Sequence, residues 1–459
     1  MNILPANLRF GAGQPVKRLE DQRLLTGKGH FIDDKAGENA LWLYVLRSPH
    51  AHAKIGAIDA SAALAMPGVT AVYTGADLVA DDIGTIPTLP LFKRPDGSPM
   101  AAPPRRLLAH DVVRFAGEPV AAVLASSRAD AQTAAEAISV DYEMLPAVVN
   151  PADALAPGAP VVWPDAPDNI AAAQSYGDAA ATEAAFASAT HVVSLDLVSQ
   201  RLVPSALEPR STMAEVDKKT GRLSLHVQSQ TPTATRDILA DVVLKRPKDS
   251  VHVLVGDMGG GFGHKVNLYP EDGIVAYAAT KLKRTVRWRG DRIDDFVGGH
   301  HGRDLTSTGE FALDEKGRVL AFRVRSLGGL GAYLTGAGVI IPLVLGPFVA
   351  TGVYDLPLIH FDIKAVLTHT APVGPYRGAG RPEAVFIVER LMDAAARQIG
   401  MDPRQIRKVN YVKPAQIPYT NAVGQVYDSG AFAHMLERAS VLADWDGFAA
   451  RKKAAKKKG

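Results

Sequence analysis

The 459-residue chain contains no cysteine. That absence excludes disulfides, thiolate zinc sites, cysteine nucleophiles and cysteine-ligated iron–sulfur clusters within these residues. Long apolar runs are missing too. The greasiest stretch, Val339 to Ala350, is interrupted by Pro342, Gly346 and Pro347. It falls well short of the ~20 apolar residues that a membrane span needs. The opening Met1–Arg18 carries Pro5, Arg9, Gly11, Gly13 and Pro15 and no apolar core, so it does not read as a secretory signal. No membrane association and a cytoplasmic location are therefore expected. Charge of one sign is also scarce: the net charge is +3, and the last nine residues alone carry six cations, Arg451, Lys452, Lys453, Lys456, Lys457 and Lys458. The remainder is slightly acidic, so the balance points to no nucleic acid, and the basic tail reads as a solvated helix end.

What is present is an ordinary globular composition, 47% hydrophobic and 22% charged. The length suits about three domains at ~150 residues each. Residues 19–150 read as a small mixed domain, with strands over Leu41–Leu46, Thr70–Tyr73 and Pro119–Leu124 and an alanine-rich helix over Asp130–Ile138. Five prolines between 151 and 170 mark a linker. A second region, 171–415, holds strands at Val192–Leu197, Leu223–Val227, Val251–Val255 and Thr285–Trp288, with helices at Thr233–Leu244 and Tyr277–Lys283. Its last helices are well punctuated. Pro382 suits a first turn, Val388, Leu391, Ala395 and Ile399 form one face, and Gly400 closes it. Another helix starts at Asp402-Pro403. Residues 416–459 form a carboxy-terminal segment with the basic tail. No internal repeat is visible.

Two glycine-rich patches stand out: Gly259-Gly260-Gly261-Phe262-Gly263-His264-Lys265 and Gly374-Pro375-Tyr376-Arg377-Gly378-Ala379-Gly380. The first offers several N–H groups free of Cβ atoms in what reads as a strand-to-helix turn. Such an array can bind an oxyanion or a polar cofactor, or can simply be a tight turn. It is not a dinucleotide fingerprint, because His264 stands where a third glycine is needed and no acidic residue follows at the right distance. Arg377 precedes a helix amino terminus, where a guanidinium fork and free N–H groups both suit an anion. Gln230, at a strand end, can donate from its amide, although a surface glutamine is the plainer reading. The pairs His50/His52 and His300/His301 show no zinc spacing and read as ordinary polar or partly buried side chains. Glu118 could be a buried acid, but no partner is evident.

In combination these segments resemble the molybdenum-cofactor subunit of the molybdenum hydroxylases, the family of xanthine dehydrogenase, aldehyde oxidase and the large subunit of carbon monoxide dehydrogenase. The resemblance runs from Arg18-Leu19-Glu20-Asp21 and Leu24–Gly29 through Arg47-Ser48-Pro49-His50-Ala51 and Gly117-Glu118-Pro119-Val120-Ala121 to Gly259–Lys265 and Tyr376-Arg377-Gly378. It implies an α+β architecture: an α/β-hammerhead domain followed by a mixed α/β molybdopterin-binding domain. It implies a molybdenum–molybdopterin, in its cytosine dinucleotide form, contacted by Gln230, Gly261, Phe262, Gly263, Arg377 and Gly378. Val266 and Ala379 fall at substrate-facing positions. Xanthine-type members have a glutamate at the position of Val266 and a phenylalanine at that of Ala379, so purine oxidation is not expected. Carbon monoxide dehydrogenases place a copper-holding cysteine where Gly378 stands. An aldehyde or N-heteroaromatic substrate, hydroxylated with oxygen from water, fits better.

Family chains usually continue beyond the point where this sequence stops, and the continuation carries the glutamate that serves as general base. No catalytic residue is therefore expected among these residues, and either a second molybdopterin-domain chain completes the site or the sequence is a truncated product. Fe-S and FAD are expected on partner subunits. The competing reading is a non-catalytic half that serves as a partner-binding scaffold.

Overall fold

The computed structural model describes residues 16–35, 37 and 39–457; the opening segment up to Pro15 and the tail residue Lys458 lie outside them. A seven-stranded sheet draws on both halves of the sequence. In spatial order its strands are Val251–Leu254, Leu223–Val227, Ser211–Val216, Val286–Arg289, Leu41–Arg47, Pro119–Ala125 and Val69–Thr74. The join is the parallel pairing of Leu41 with Val286 and Trp42 with Arg287. Pro119–Ala125 is buried along its whole length, as expected of a strand covered on both faces. One face packs the helix Arg128–Glu136 through Ala134 and Ala135. The other packs the helix Pro270–Leu282 through Ile274, Val275 and Ala279.

A second sheet has five strands, ordered Ile170–Gly177, Ile359–Leu367, Val319–Gly331, Leu305–Leu313 and His191–Ser199. Phe311, Phe322 and Phe361 stack edge to face through its core, with successive centroids 5.1 Å apart. The helix Arg381–Ile399 covers this sheet with Val388, Leu391 and Ala395. Its Gly400 cap is left-handed, at φ +69°, and Asp402 caps the next helix, Pro403–Asn410, by accepting from the Arg404 and Gln405 amides. The proline-rich stretch 151–170 lies against this core, with Val162 and Ala166 buried.

Several expectations shift. The helix expected over Thr233–Leu244 starts at Pro232 and passes from α to π geometry over Ile238–Val243. The helix expected from Tyr277 starts at Pro270, because Pro270 occupies its first turn and the Asp272 carboxylate accepts from the Tyr269 amide at 3.0 Å. The first glycine patch is not a direct strand-to-helix turn: turns at residues 262–265 and the segment 266–269 separate it from that helix. Among the described residues no helix is long and apolar enough to cross a membrane.

Candidate functional site: a cradle formed by two glycine patches

The first patch is shaped by close approach. A Cβ at Gly261 would lie 2.6 Å from the Gln230 Oε1 atom, and one at Gly263 would lie 2.5 Å from the Pro375 carbonyl oxygen. Gly263 also sits at φ +95°, so it needs glycine on both counts. Gln230 is stitched to this turn. Its backbone amide donates to the Lys265 carbonyl at 2.8 Å, and its Oε1 accepts from the Gly263 amide at 2.9 Å. That acceptance fixes the amide orientation and leaves Nε2 as a free donor. Thr231 Oγ1 donates to the Val266 carbonyl at 2.5 Å. At the other end, the Gly259 amide donates to Glu208 Oε2 at 2.6 Å, and the buried Lys265 donates to the Glu208 carbonyl at 2.9 Å.

The second patch docks on the first. The Arg377 amide donates to the Phe262 carbonyl at 2.9 Å, and the Arg377 guanidinium stands 5.9 Å from the Phe262 ring centroid. Gln230, Phe262, Arg377 and Gly378 are all exposed, and Arg377 has no ion-pair partner among the described residues. Gln230, Gly261, Phe262, Gly263 and Arg377 thus form one connected unit. Gly378 and Ala379 continue it at φ +94° and +46°, with the Ala379 amide donating to the Tyr376 carbonyl at 2.7 Å. Val266 lies just past the first turn, its amide donating to the Gly263 carbonyl at 3.3 Å.

Arg303 is one of the residues the sequence reading missed. Its guanidinium donates to the Arg377 carbonyl at 2.7 Å, to the Tyr376 carbonyl at 3.3 Å and to Glu383 at 3.1 Å, and it packs over the Tyr376 ring. Three acceptors from one planar fork pin the second patch to the start of the helix Arg381–Ile399. The signal was the run His301-Gly302-Arg303-Asp304, passed over as an ordinary histidine pair.

Behind the first patch lies a buried ionic network. Glu271 accepts from Arg47 at 2.6 Å and from Arg210 at 3.0 Å, while Arg210 also donates to Asp295 at 2.9 Å and covers the Tyr269 ring. Burial pushes the Glu271 carboxyl up, but Arg210 and Arg47 outweigh it and hold it down to about 2. Its neighbour Asp272 has no such partner, and burial raises it to about 7. His264 lies beside Asp295, and burial keeps its ring neutral. Glu118, for which no partner was foreseen, accepts from the Tyr333 hydroxyl at 2.5 Å and the Arg114 amide at 2.6 Å, and burial raises its carboxyl.

The chemistry of this cradle is specific: close-approach backbone, one oriented amide donor and one unpaired guanidinium on an exposed face. These features fit a large polar cofactor bearing anionic groups. Residues 162–411 match the molybdopterin cofactor-binding domain, and residues 26–146 match the a/b hammerhead domain of aldehyde oxidase and xanthine dehydrogenase. The chain belongs to the molybdenum hydroxylase family and carries its molybdopterin cofactor-binding domain. It is 34% identical over 450 residues to the carbon monoxide dehydrogenase large chain of Hydrogenophaga pseudoflava, covering 95% of this chain and 54% of that one. It superposes on quinoline 2-oxidoreductase from Pseudomonas putida 86 with a TM-score of 0.90 at 35% identity, covering 97% of this chain and 56% of that one. The chain thus spans about half the length of these relatives. It is also 29% identical over 426 residues to the nicotinate dehydrogenase large molybdopterin subunit of Eubacterium barkeri, covering 91% of this chain and 92% of that one.

Proposed function

We propose that this chain holds one side of a molybdenum–molybdopterin, in its cytosine dinucleotide form, within an oxidoreductase that hydroxylates an aldehyde or N-heteroaromatic substrate. The observation that carries this reading is the direct bonding of Gln230 to Gly263 and of Arg377 to Phe262, which sets the free Gln230 Nε2 and the unpaired Arg377 guanidinium on one glycine-lined surface. When bound, the cofactor supplies the electron sink and the means of activating water. The chain supplies position. Gln230 Nε2 donates one hydrogen bond, the Phe262–Gly263 backbone approaches closely because no Cβ intervenes, and the Arg377 fork neutralises an anionic oxygen. Val266 and Ala379 shape the substrate side. Small apolar groups there favour a flat, apolar ring over a purine held by charge.

Carbon monoxide is not the substrate assigned here, because Gly378 offers no thiolate for copper. The general base comes from further polypeptide, on a second chain or on a continuation of this one, so residues 1–459 bind cofactor without turning over. The near-equal length of the Eubacterium barkeri subunit supports a second chain. Fe-S and FAD reside on partner subunits, in a cytoplasmic heteromer.

The test is coexpression of this chain with the polypeptide that completes it, followed by metal analysis and aldehyde or quinoline oxidation. Molybdenum should copurify with the assembly, and Gln230→Ala and Arg377→Ala should each lower its content severalfold. Unchanged molybdenum content in both variants would overturn the reading. Turnover by this chain alone would refute the missing base.

A further inference from the structure

Next to the cradle lies a cavity of about 340 Å³, within the range of small-molecule pockets, roughly 300–1,000 Å³. Asn267 and Leu268 bring it the residues just after the first glycine patch. Ile238 and Asp241 come from the helix after Gln230, and His300 from the loop between residues 298 and 304, where it packs on Gly374. Arg105, only 4% exposed, lines the same cavity, and its Nη2 has no hydrogen-bond partner. A buried, partly unpaired guanidinium is costly unless something supplies the missing acceptor.

The other groups around Arg105 narrow what that acceptor can be. Arg105 Nη1 lies 2.7 Å from His300 Nε2. Nη1 can only donate, so Nε2 must accept and the proton of the neutral ring must sit on Nδ1. That Nδ1–H faces the Asn267 amide at 3.1 Å. An amide's oxygen and nitrogen are told apart by their partners, so the atom facing Nδ1–H is assigned as the Asn267 oxygen, which leaves the NH₂ as a second donor on a cavity-lining side chain. Burial and the Arg105 charge keep the His300 ring neutral. The nearest carboxylates on the rim, Asp237 and Asp241, are already occupied by Arg236 and Lys248. The other walls are mostly apolar, Ile86, Leu268 and Leu334 with Leu89 at an open mouth, and the Thr335 hydroxyl among them donates to the Val373 carbonyl.

We propose that this cavity binds an aromatic carboxylate, its carboxylate oxygens accepting from Arg105 Nη2 and the Asn267 amide and its ring lying against Leu268 and Leu334. A neutral carbonyl would satisfy one donor but leave the buried Arg105 charge with no carboxylate in contact, only Glu271 and Glu118 at longer range, which is why the anion is favoured. The proposal deepens the functional reading above, since it names the class of molecule brought beside the cradle.

The test uses the full chain without cofactor, so that it is independent of molybdenum loading. Benzoate and benzamide, nearly equal in shape, are titrated by calorimetry. Benzoate should bind at least tenfold more tightly than benzamide. Arg105→Met should abolish that preference, and Arg105→Lys, which keeps the charge, should retain part of it. Equal binding of the two probes, binding of neither, or an Arg105→Met variant that still prefers benzoate would each overturn the proposal. If Arg105→Met does not fold, the two probes on the unmodified chain and on Arg105→Lys decide it. Loss of molybdenum binding with benzoate binding intact would count against the cofactor reading alone.

Discussion

The two glycine patches meet at one surface but are supported in different ways. The first rests on buried charge: Lys265 on Glu208, His264 beside Asp295, and Glu271 clasped between Arg47 and Arg210. The second rests on packing, with one guanidinium, Arg303, gathering its carbonyls onto Glu383 while the apolar core under the helix Arg381–Ile399 carries the weight. A charge network holds geometry tightly but fails abruptly when one partner is lost, because the remaining charge is stranded. Apolar packing yields gradually. The side that holds Gln230 is therefore the brittle one.

The largest expected effect follows from that difference. Glu271→Ala removes the carboxylate shared by two buried guanidiniums, leaving Arg47 only Asp294 and Arg210 only Asp295, and should cost about 3–5 kcal/mol, read as a lowered urea midpoint. A loss below 1 kcal/mol would show that the network contributes little. At the seam between the patches, Gly263→Ala forces a Cβ onto the Pro375 carbonyl at positive φ and should cost about 1–3 kcal/mol. Hydrogen exchange at the Arg377 amide, which bonds to Phe262, should accelerate with it.

Titration separates the two supports further. Burial lowers His300 well below its usual value, His301 to about 4 and His369 to about 3. Their contribution is complete above the unfolded value of ~6.5 and is lost as pH falls through that point toward 4 and below. Glu271, held at about 2 against an ordinary 4.5, contributes fully above 4.5 and is lost only in stronger acid. Asp272 runs the other way. Raised to about 7, it withdraws stability as pH climbs from 3.8 past 7. Asp272→Asn should therefore stabilise the chain at pH 8. A tenfold displacement of proton affinity is worth about 1.4 kcal/mol, so a gain on the order of 1 kcal/mol is expected, together with a steeper loss between pH 6.5 and 4. No change in either quantity would place the Asp272 carboxyl in water. The smallest effect belongs to Arg377→Ala. An exposed arginine without an ion pair should leave stability within about 0.5 kcal/mol while cofactor retention falls. A large destabilisation would make Arg377 a structural residue.

Local signals were legible where the chain interacts with itself over a few residues. Pro382, Gly400 and Asp402 mark helix ends because a missing N–H, a left-handed cap and a capping carboxylate are local chemistry. The strands Leu41–Arg47, Pro119–Ala125 and Leu223–Val227 show in their apolar patterns, and the two glycine patches in their composition. Of the second sheet only His191–Ser199 was foreseen; the other four strands were not, and Gly328, Gly329 and Gly331 make Val319–Gly331 resemble a loop. It is a strand because Ile359–Leu367 and Leu305–Leu313 pair with it on either side. Arg303, Glu208 and Glu271 escaped notice for a related reason. A charged residue reads as solvated until its partner, 51 to 224 positions away, is brought to it.

Acting alone, the order of residues settled where backbone can approach closely, where helices start and stop, and that no thiolate is available for metal or cluster. Which amide Gln230 accepts from, which carbonyls Arg303 gathers and which guanidinium is left without an ion pair among the described residues were decided only when the segments around the two glycine patches docked on one another. Those contacts depend on distances between segments remote in sequence, and only the packed sheets and helices set such distances.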